Sequence, residues 1–262
     1  MIYNPSWLVL AYTVNIWMGR MFSTDFWWLS SDQEIRYVYT ELGHHNPIPH
    51  NEQPHDTSWD KEVYLINQIK DWRERFQNTN VYRSLKLVTA LSDGQELIGP
   101  FLVDIDNESD DLDDALEVAR SVLFLLEGQF NINANNLKIF FTGHKGFNLE
   151  VHPQTLGMQG SINDQITNCG HFLEHIIQGL RRGKSWRIPN QVSDAGTLID
   201  TIYGNRLGYK LKHPYIRLHN SLNKWAMPNG TAKTRMKIEL AVDELNRITT
   251  TEIISISEKF AI

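Results

Sequence analysis

Two acids set into an otherwise apolar run, Phe101-Leu-Val-Asp-Ile-Asp-Asn107, constrain this chain more than any other stretch. The run is rich in β-branched and aromatic residues, so it reads as a strand, and a strand sends residues i and i+2 to the same face. Asp104 and Asp106 therefore point together. Two ionised carboxylates that close repel each other and are costly to desolvate, so a buried pair calls for a cation between them. Oxygen-only ligands suit Mg²⁺ or Mn²⁺ rather than zinc. A strand end whose acids spill into a solvated loop gives the same pattern, and DxD alone leaves both readings open.

The formal charge of −6 does not exclude a nucleic-acid partner. Seven of the 31 acids lie between Asp104 and Asp114, which leaves 24 against 25 Lys and Arg elsewhere. Binding to a phosphate backbone depends on a local basic groove rather than on the total. The single cysteine, Cys169, rules out a disulfide framework and any Cys-based zinc knuckle, and fits a reducing, cytoplasmic compartment. Met1 to Tyr12 is apolar but lacks a basic leader and breaks at Asn15 and Arg20, so it reads as a buried strand or helix, and no membrane partner is expected.

The first part of the chain, 1–98, reads as an α/β unit. Ile35-Arg-Tyr-Val-Tyr-Thr40 is strand-like. His44, His45, His50 and His55 fall in a polar segment punctuated by Pro47, Pro49 and Pro54, which favours a solvated loop over a metal site. The spacing of Val63, Ile66, Ile69 and Trp72 predicts an amphipathic helix over 59–76. Val81 to Val88 reads as a strand whose Arg83 and Ser84 face a groove or solvent.

In the second part, 99–262, the acids from Asp110 to Asp114 suit a helix N-terminus, with the helix continuing over 115–126. Leu137 to Thr142 is a strand, Gly143-His-Lys-Gly146 a tight turn, and Phe147 to His152 a strand of strict alternation with Asn148, Glu150 and His152 on one face. Two glycines bring backbone N–H groups together, and His144 and Lys145 add donors; a phosphate chain or an ordinary hairpin would use the same turn. A helix over 164–182 runs into a basic cluster of Arg181, Arg182, Lys184 and Arg187, either a solvated face or a phosphate contact. Asp200 is another acid in an apolar segment, Tyr215 to Lys224 is polar and basic, and Met236 to Leu240 reads as a closing strand.

In order and spacing these residues resemble the catalytic core of the archaeo-eukaryotic primase superfamily, the primase-polymerases. Val103-Asp-Ile-Asp106 matches the family's two-acid strand motif. Thr142-Gly-His-Lys-Gly-Phe-Asn148 matches its second motif, with Asn148 where the family has histidine. Ile199-Asp-Thr-Ile-Tyr203 with Arg206 matches the third, and Ile216-Arg-Leu-His-Asn-Ser-Leu-Asn-Lys224 the final arginine segment. The resemblance covers roughly 80–240, and the segment from Leu207 to Tyr215 is longer than the family's spacing.

The resemblance implies an α/β (α+β) fold in which an RRM-like catalytic sheet packs beside the N-terminal unit as one compact module. It implies that Asp104, Asp106 and Asp200 hold two Mg²⁺ or Mn²⁺ ions. His144, Lys145, Asn148, Arg217 and Lys224 would clamp a nucleoside triphosphate, with Ser221 and Asn223 as supporting donors. Arg83, Arg181, Arg182 and Arg187 would track single-stranded template DNA. The implied reaction is template-directed transfer of NTP or dNTP, as a DNA primase or polymerase, beside a helicase or accessory replication subunit. The alternative is a catalytically degenerate subunit that holds nucleotide or single-stranded nucleic acid, because asparagine at 148 cannot carry a proton.

Overall fold

The computed structural model describes residues 27–28, 38–45, 60–65, 80–89, 96–107, 112–157, 160–182, 198–200, 203, 215–219, 221–226 and 232–261. In chain order these form β1 (Val38–His45), β2 (Asp60–Leu65), β3 (Asn80–Thr89), β4 (Glu96–Ile98) and β5 (Phe101–Asp106). Then come α1 (Leu112–Phe124), β6 (Leu137–Phe141), β7 (Gly146–Val151), α2 (Ile162–Arg182), β8 (Ile199–Asp200) and β9 (Tyr215–Arg217). The chain closes with β10 (Leu222–Ala226), β11 (Ala232–Met236), β12 (Ile238–Leu240), the short α3 (Val242–Leu245) and α4 (Thr250–Lys259).

The fold is mixed α and β, as expected. One sheet runs β12-β6-β7-β5-β8 with every neighbouring pair antiparallel. Since α1 joins β5 to β6 and α2 lies between β7 and β8, this is the RRM-like β-α-β-β-α-β arrangement. Its helix-covered face is the apolar half of each alternation. Phe101, Val103 and Ile105 of β5, Phe147, Leu149 and Val151 of β7, and Ile139 and Phe141 of β6 are each 0% exposed. They form one core with Ala115, Ala119 and Val122 of α1 and Cys169, Leu173 and Ile176 of α2. Each large apolar side chain so buried contributes roughly 1.5–3 kcal/mol. Asp113 and Asp114 occupy the first turn of α1, where the macrodipole favours acids, and Asp113 accepts a bond from the Thr250 hydroxyl at 2.7 Å.

Tyr203 finishes the edge where β8 is too short. Its hydroxyl accepts the Leu102 N–H at 2.7 Å, and its ring stacks on Phe101 with centroids 5.5 Å apart. Burial holds that phenol well above its ordinary pKa and pushes the neighbouring Cys169 thiol up to about 12, so the single cysteine is an inert core residue.

A second sheet runs β2-β1-β3-β4, and β9 joins it by pairing with β3, so a strand from late in the chain completes the early sheet. Two expectations give way here. The helix over 59–76 is not present in its first part, because Asp60–Leu65 is a strand paired with β1 along its length; 66–76 lie outside the described residues. Val63 and Tyr64 suit a strand as well as a helix, and ladder pairing outweighs a periodicity spread over four apolar positions. His44 and His45 end β1 rather than standing in a loop, while His50, His55 and the run 1–12 fall outside the described residues.

The two sheets are tied at Glu150 of β7. Its Oε1 accepts from Arg83 Nη2 at 3.2 Å and its Oε2 from Trp27 Nε1 at 3.0 Å, with the Arg83 guanidinium 4.9 Å over the Trp28 ring. Side-chain exposure is 1% for Arg83 and 3% for Glu150, so the pair is desolvated and each charge depends on the other. Arg83→Met should lower unfolding free energy by about 3–5 kcal/mol in denaturant titration, and adding Glu150→Leu should restore a large part of the loss, because the cost lies in stranding one buried charge.

Candidate functional site

The face of the RRM-like sheet turned away from the helices carries the polar half of the alternation. Across it the register aligns Asp200, Asp104, Asn148, Phe140 and Glu239 on neighbouring strands β8, β5, β7, β6 and β12. Directly opposed residues share a face, so the register sets Asp200 beside Asp104 in a row with Asn148. The Asn148 amide Nδ2 donates to Asp104 Oδ1 at 2.6 Å.

The turn after β6 is shaped by two glycines. Gly143 has φ +87, in the left-handed region. At Gly146 a Cβ would lie 1.9 Å from the Ile105 carbonyl oxygen, so only glycine lets β7 start this close to β5. Thr142 N donates to Gly146 O at 3.0 Å and Asn107 N to Lys145 O at 3.3 Å, which fixes the turn over the end of β5. Lys145 Nζ then sits 3.2 Å from Asp106 Oδ2. The His144 ring stacks on Trp225 of β10 with centroids 4.2 Å apart, and Arg235 of β11 lies 5.3 Å over the same indole.

The opposite wall comes from the early sheet. Arg217, at the end of β9, donates from Nη2 to the Tyr82 hydroxyl at 2.8 Å and from Nη1 to Leu222 O at 3.0 Å, with its guanidinium 4.8 Å over the Tyr82 ring. Burial lowers its pKa, while the Tyr82 hydroxyl and the Asp104 carboxylate act the other way. Arginine stays charged under such a shift. Between the walls lies a cleft of about 240 Å³ lined by Asp104, Asp106, His144, Lys145, Asn148, Arg217 and Asn223, with Tyr82, Leu102, Thr142 and Ile216.

No protein-family model matches the chain, and no curated protein does. Among solved structures the chain is similar to the polymerase domain from Mycobacterium tuberculosis ligase D in complex with DNA. That likeness has a TM-score of 0.45 at 13% identity and covers 85% of this chain and 81% of the other.

The cleft gathers seven of the residues singled out in the sequence: Asp104, Asp106, His144, Lys145, Asn148, Arg217 and Asn223. Ser221 lies outside its lining: the residue is 6% exposed and its hydroxyl donates to Leu218 O at 2.6 Å. Arg83 does not face a groove, since it is closed into the ion pair with Glu150. Arg181 is exposed on the last turn of α2, away from the cleft lining. Arg187 and Arg206 fall outside the described residues, and Asp200, Lys224 and Arg182 enter through their backbone alone. Among the described side chains no three His, Cys, Asp or Glu converge as a metal cluster. None of the described helices is long and apolar enough to cross a membrane.

Lys237 is the residue that sequence reasoning missed. It is 1% exposed, and its ammonium donates to Asn148 Oδ1 at 2.8 Å and to the Arg217 carbonyl at 2.9 Å, 4.8 Å from the Phe140 ring centroid. The signal was a basic residue planted beside the apolar Ile238 and Leu240, the pattern that drew attention to Asp104.

Gly146 gives a direct check on this geometry. Gly146→Ala should cost about 3 kcal/mol in denaturant unfolding, because the clash is with backbone rather than with a movable side chain. Gly157→Ala is the control: its added Cβ meets nothing within 4 Å and only its φ of +59 opposes the change, so the loss there should be nearer 1 kcal/mol.

Proposed function

We propose that this chain is a nucleotidyltransferase of the primase-polymerase type, adding nucleotides to a DNA primer under the direction of a template. The observation that carries the reading is the cleft itself, where Asp104 and Asp106 share one wall with Lys145 beside them and Arg217 faces them. Phosphoryl transfer asks a protein for position and charge, and such a cleft offers both an oxygen-rich metal site and cationic donors for phosphate.

The donor set fits a hard divalent cation: the ligands are carboxylate oxygens, and the register brings Asp200 opposite Asp104. Asp104, Asp106 and Asp200 would hold Mg²⁺ or Mn²⁺, whose chemistry there is Lewis-acid activation of a hydroxyl and neutralisation of the triphosphate. Arg217 supplies a guanidinium already anchored on Tyr82 and Leu222, and Lys145 and His144 supply cationic or hydrogen-bonding tips from a turn held by backbone bonds at Thr142 and Asn107. Asn223 is held by its own bond from Nδ2 to the Thr142 carbonyl at 3.2 Å. Template DNA would contact the basic cluster that begins with Arg181 and Arg182 in the last turn of α2, outside the cleft lining, and a helicase or accessory replication subunit is a compatible partner.

Asn148 favours a second reading. Its Oδ1 takes the Lys237 bond and its Nδ2 gives one to Asp104, so neither end of the amide is turned to a triphosphate. A subunit that only holds nucleotide or single-stranded nucleic acid would tolerate that arrangement.

The experiment that tests the proposal is labelled-nucleotide incorporation on a primed template across a variant set. Asp104→Ala, Asp106→Ala and Asp200→Ala should each abolish incorporation while leaving the circular dichroism spectrum unchanged. Full activity in Asp200→Ala would remove the third ligand from the scheme. Arg217→Lys should weaken nucleotide binding by roughly tenfold, measured by calorimetry, because a point charge cannot reproduce the planar fork.

A further inference from the structure

Lys237 is a fully buried cation lying just beneath the candidate site, and a lysine in that position must be satisfied or the fold pays heavily for it. Its partners are the Asn148 side-chain oxygen and the Arg217 carbonyl, with the Phe140 ring against the ammonium. An ammonium has donors and no acceptor, so it dictates which way the asparagine amide turns. The oxygen must face Lys237, and the NH₂ is thereby aimed at Asp104 Oδ1, 2.6 Å away. An NH₂ group in turn calls for an acceptor, which an ionised carboxylate is.

From this chain of contacts we infer that Lys237 is a positioning residue for the site: acting through Asn148, it fixes the rotamer of Asp104 and so sets the affinity of the site for its divalent cation. The inference rests on the metal-site reading of Asp104 given above. Groups that orient a metal ligand from behind tune affinity typically by 10–100-fold. The same ammonium bonds the backbone of Arg217, so one buried charge fixes parts of both walls of the cleft.

The test is Mn²⁺ titration of the nucleotide-free protein, followed by electron paramagnetic resonance of the free ion. The variants are Lys237→Met, Lys237→Gln, Asn148→Ala and the double Lys237→Met, Asn148→Ala. Lys237→Met and Asn148→Ala should each weaken Mn²⁺ binding by about tenfold, and the double variant by no more than either single, because both break one relay. Lys237→Gln keeps a donor toward Asn148 and should retain most of the affinity. Multiplying losses in the double variant, or unchanged affinity in Asn148→Ala, would overturn the inference. Asn148→Ala leaves the buried amine in place, so it decides the matter even if Lys237→Met fails to fold. Mn²⁺ binding by the unmodified protein with unaltered variants refutes this inference alone, whereas an unmodified protein that binds no Mn²⁺ refutes the metal-site reading with it.

Discussion

A central strand can hide only half of its side chains behind helices, and in β5 the other half includes two acids. Phe101, Val103 and Ile105 fix which face is buried, so Asp104 and Asp106 must meet whatever covers the opposite one. Most of the unusual features of the molecule answer that demand. Lys145 comes from a turn that glycine alone can make, Lys237 reaches Asp104 through Asn148, and Arg217 faces Asp104 from a strand belonging to the other sheet.

These devices have a common energetic character. The apolar face is stabilised by area and tolerates conservative exchange, whereas the polar face is a network in which each buried charge is compensated by a named partner. Arg83 with Glu150 and Lys237 with Asn148 are examples at neighbouring same-face positions of one strand, β7. Such networks add little net stability compared with a packed apolar core, but removing a single member is costly. A polar face of that kind is retained when it holds groups in fixed positions, which is what transfer between phosphates requires.

The strands and first helix of the RRM-like sheet were legible in the sequence because their signals are local, whereas their arrangement into that sheet was implied by the family resemblance. Alternation in Phe101 to Asp106 and Phe147 to Val151, acids at the start of α1 and the glycine pair of the turn each read out within a few residues. Asp104 and Lys145 stood out for the same reason, in segments whose polarity is out of keeping with their surroundings, while the place of Arg217 beside them was implied by the resemblance. What was not legible depends on contacts between distant parts. Arg83 looked like a groove residue because its partner Glu150 is 67 positions away. Lys237 passed unremarked in a closing strand, because the Phe140 ring, the Asn148 amide and the Arg217 carbonyl that close around it come from other segments. The segment 60–65 carried a helical period but was claimed by the ladder with β1.

Single-turnover incorporation by the unmodified protein decides whether this cleft performs the template-directed nucleotidyl transfer proposed for it. A primed template would be offered each labelled nucleotide in turn, with Mg²⁺, with Mn²⁺ and with chelator. The expected result is a primer lengthened by the nucleotide complementary to the template base, in the presence of metal and not with chelator. A folded protein that binds the nucleotide and the DNA yet lengthens no primer with either metal would contradict it.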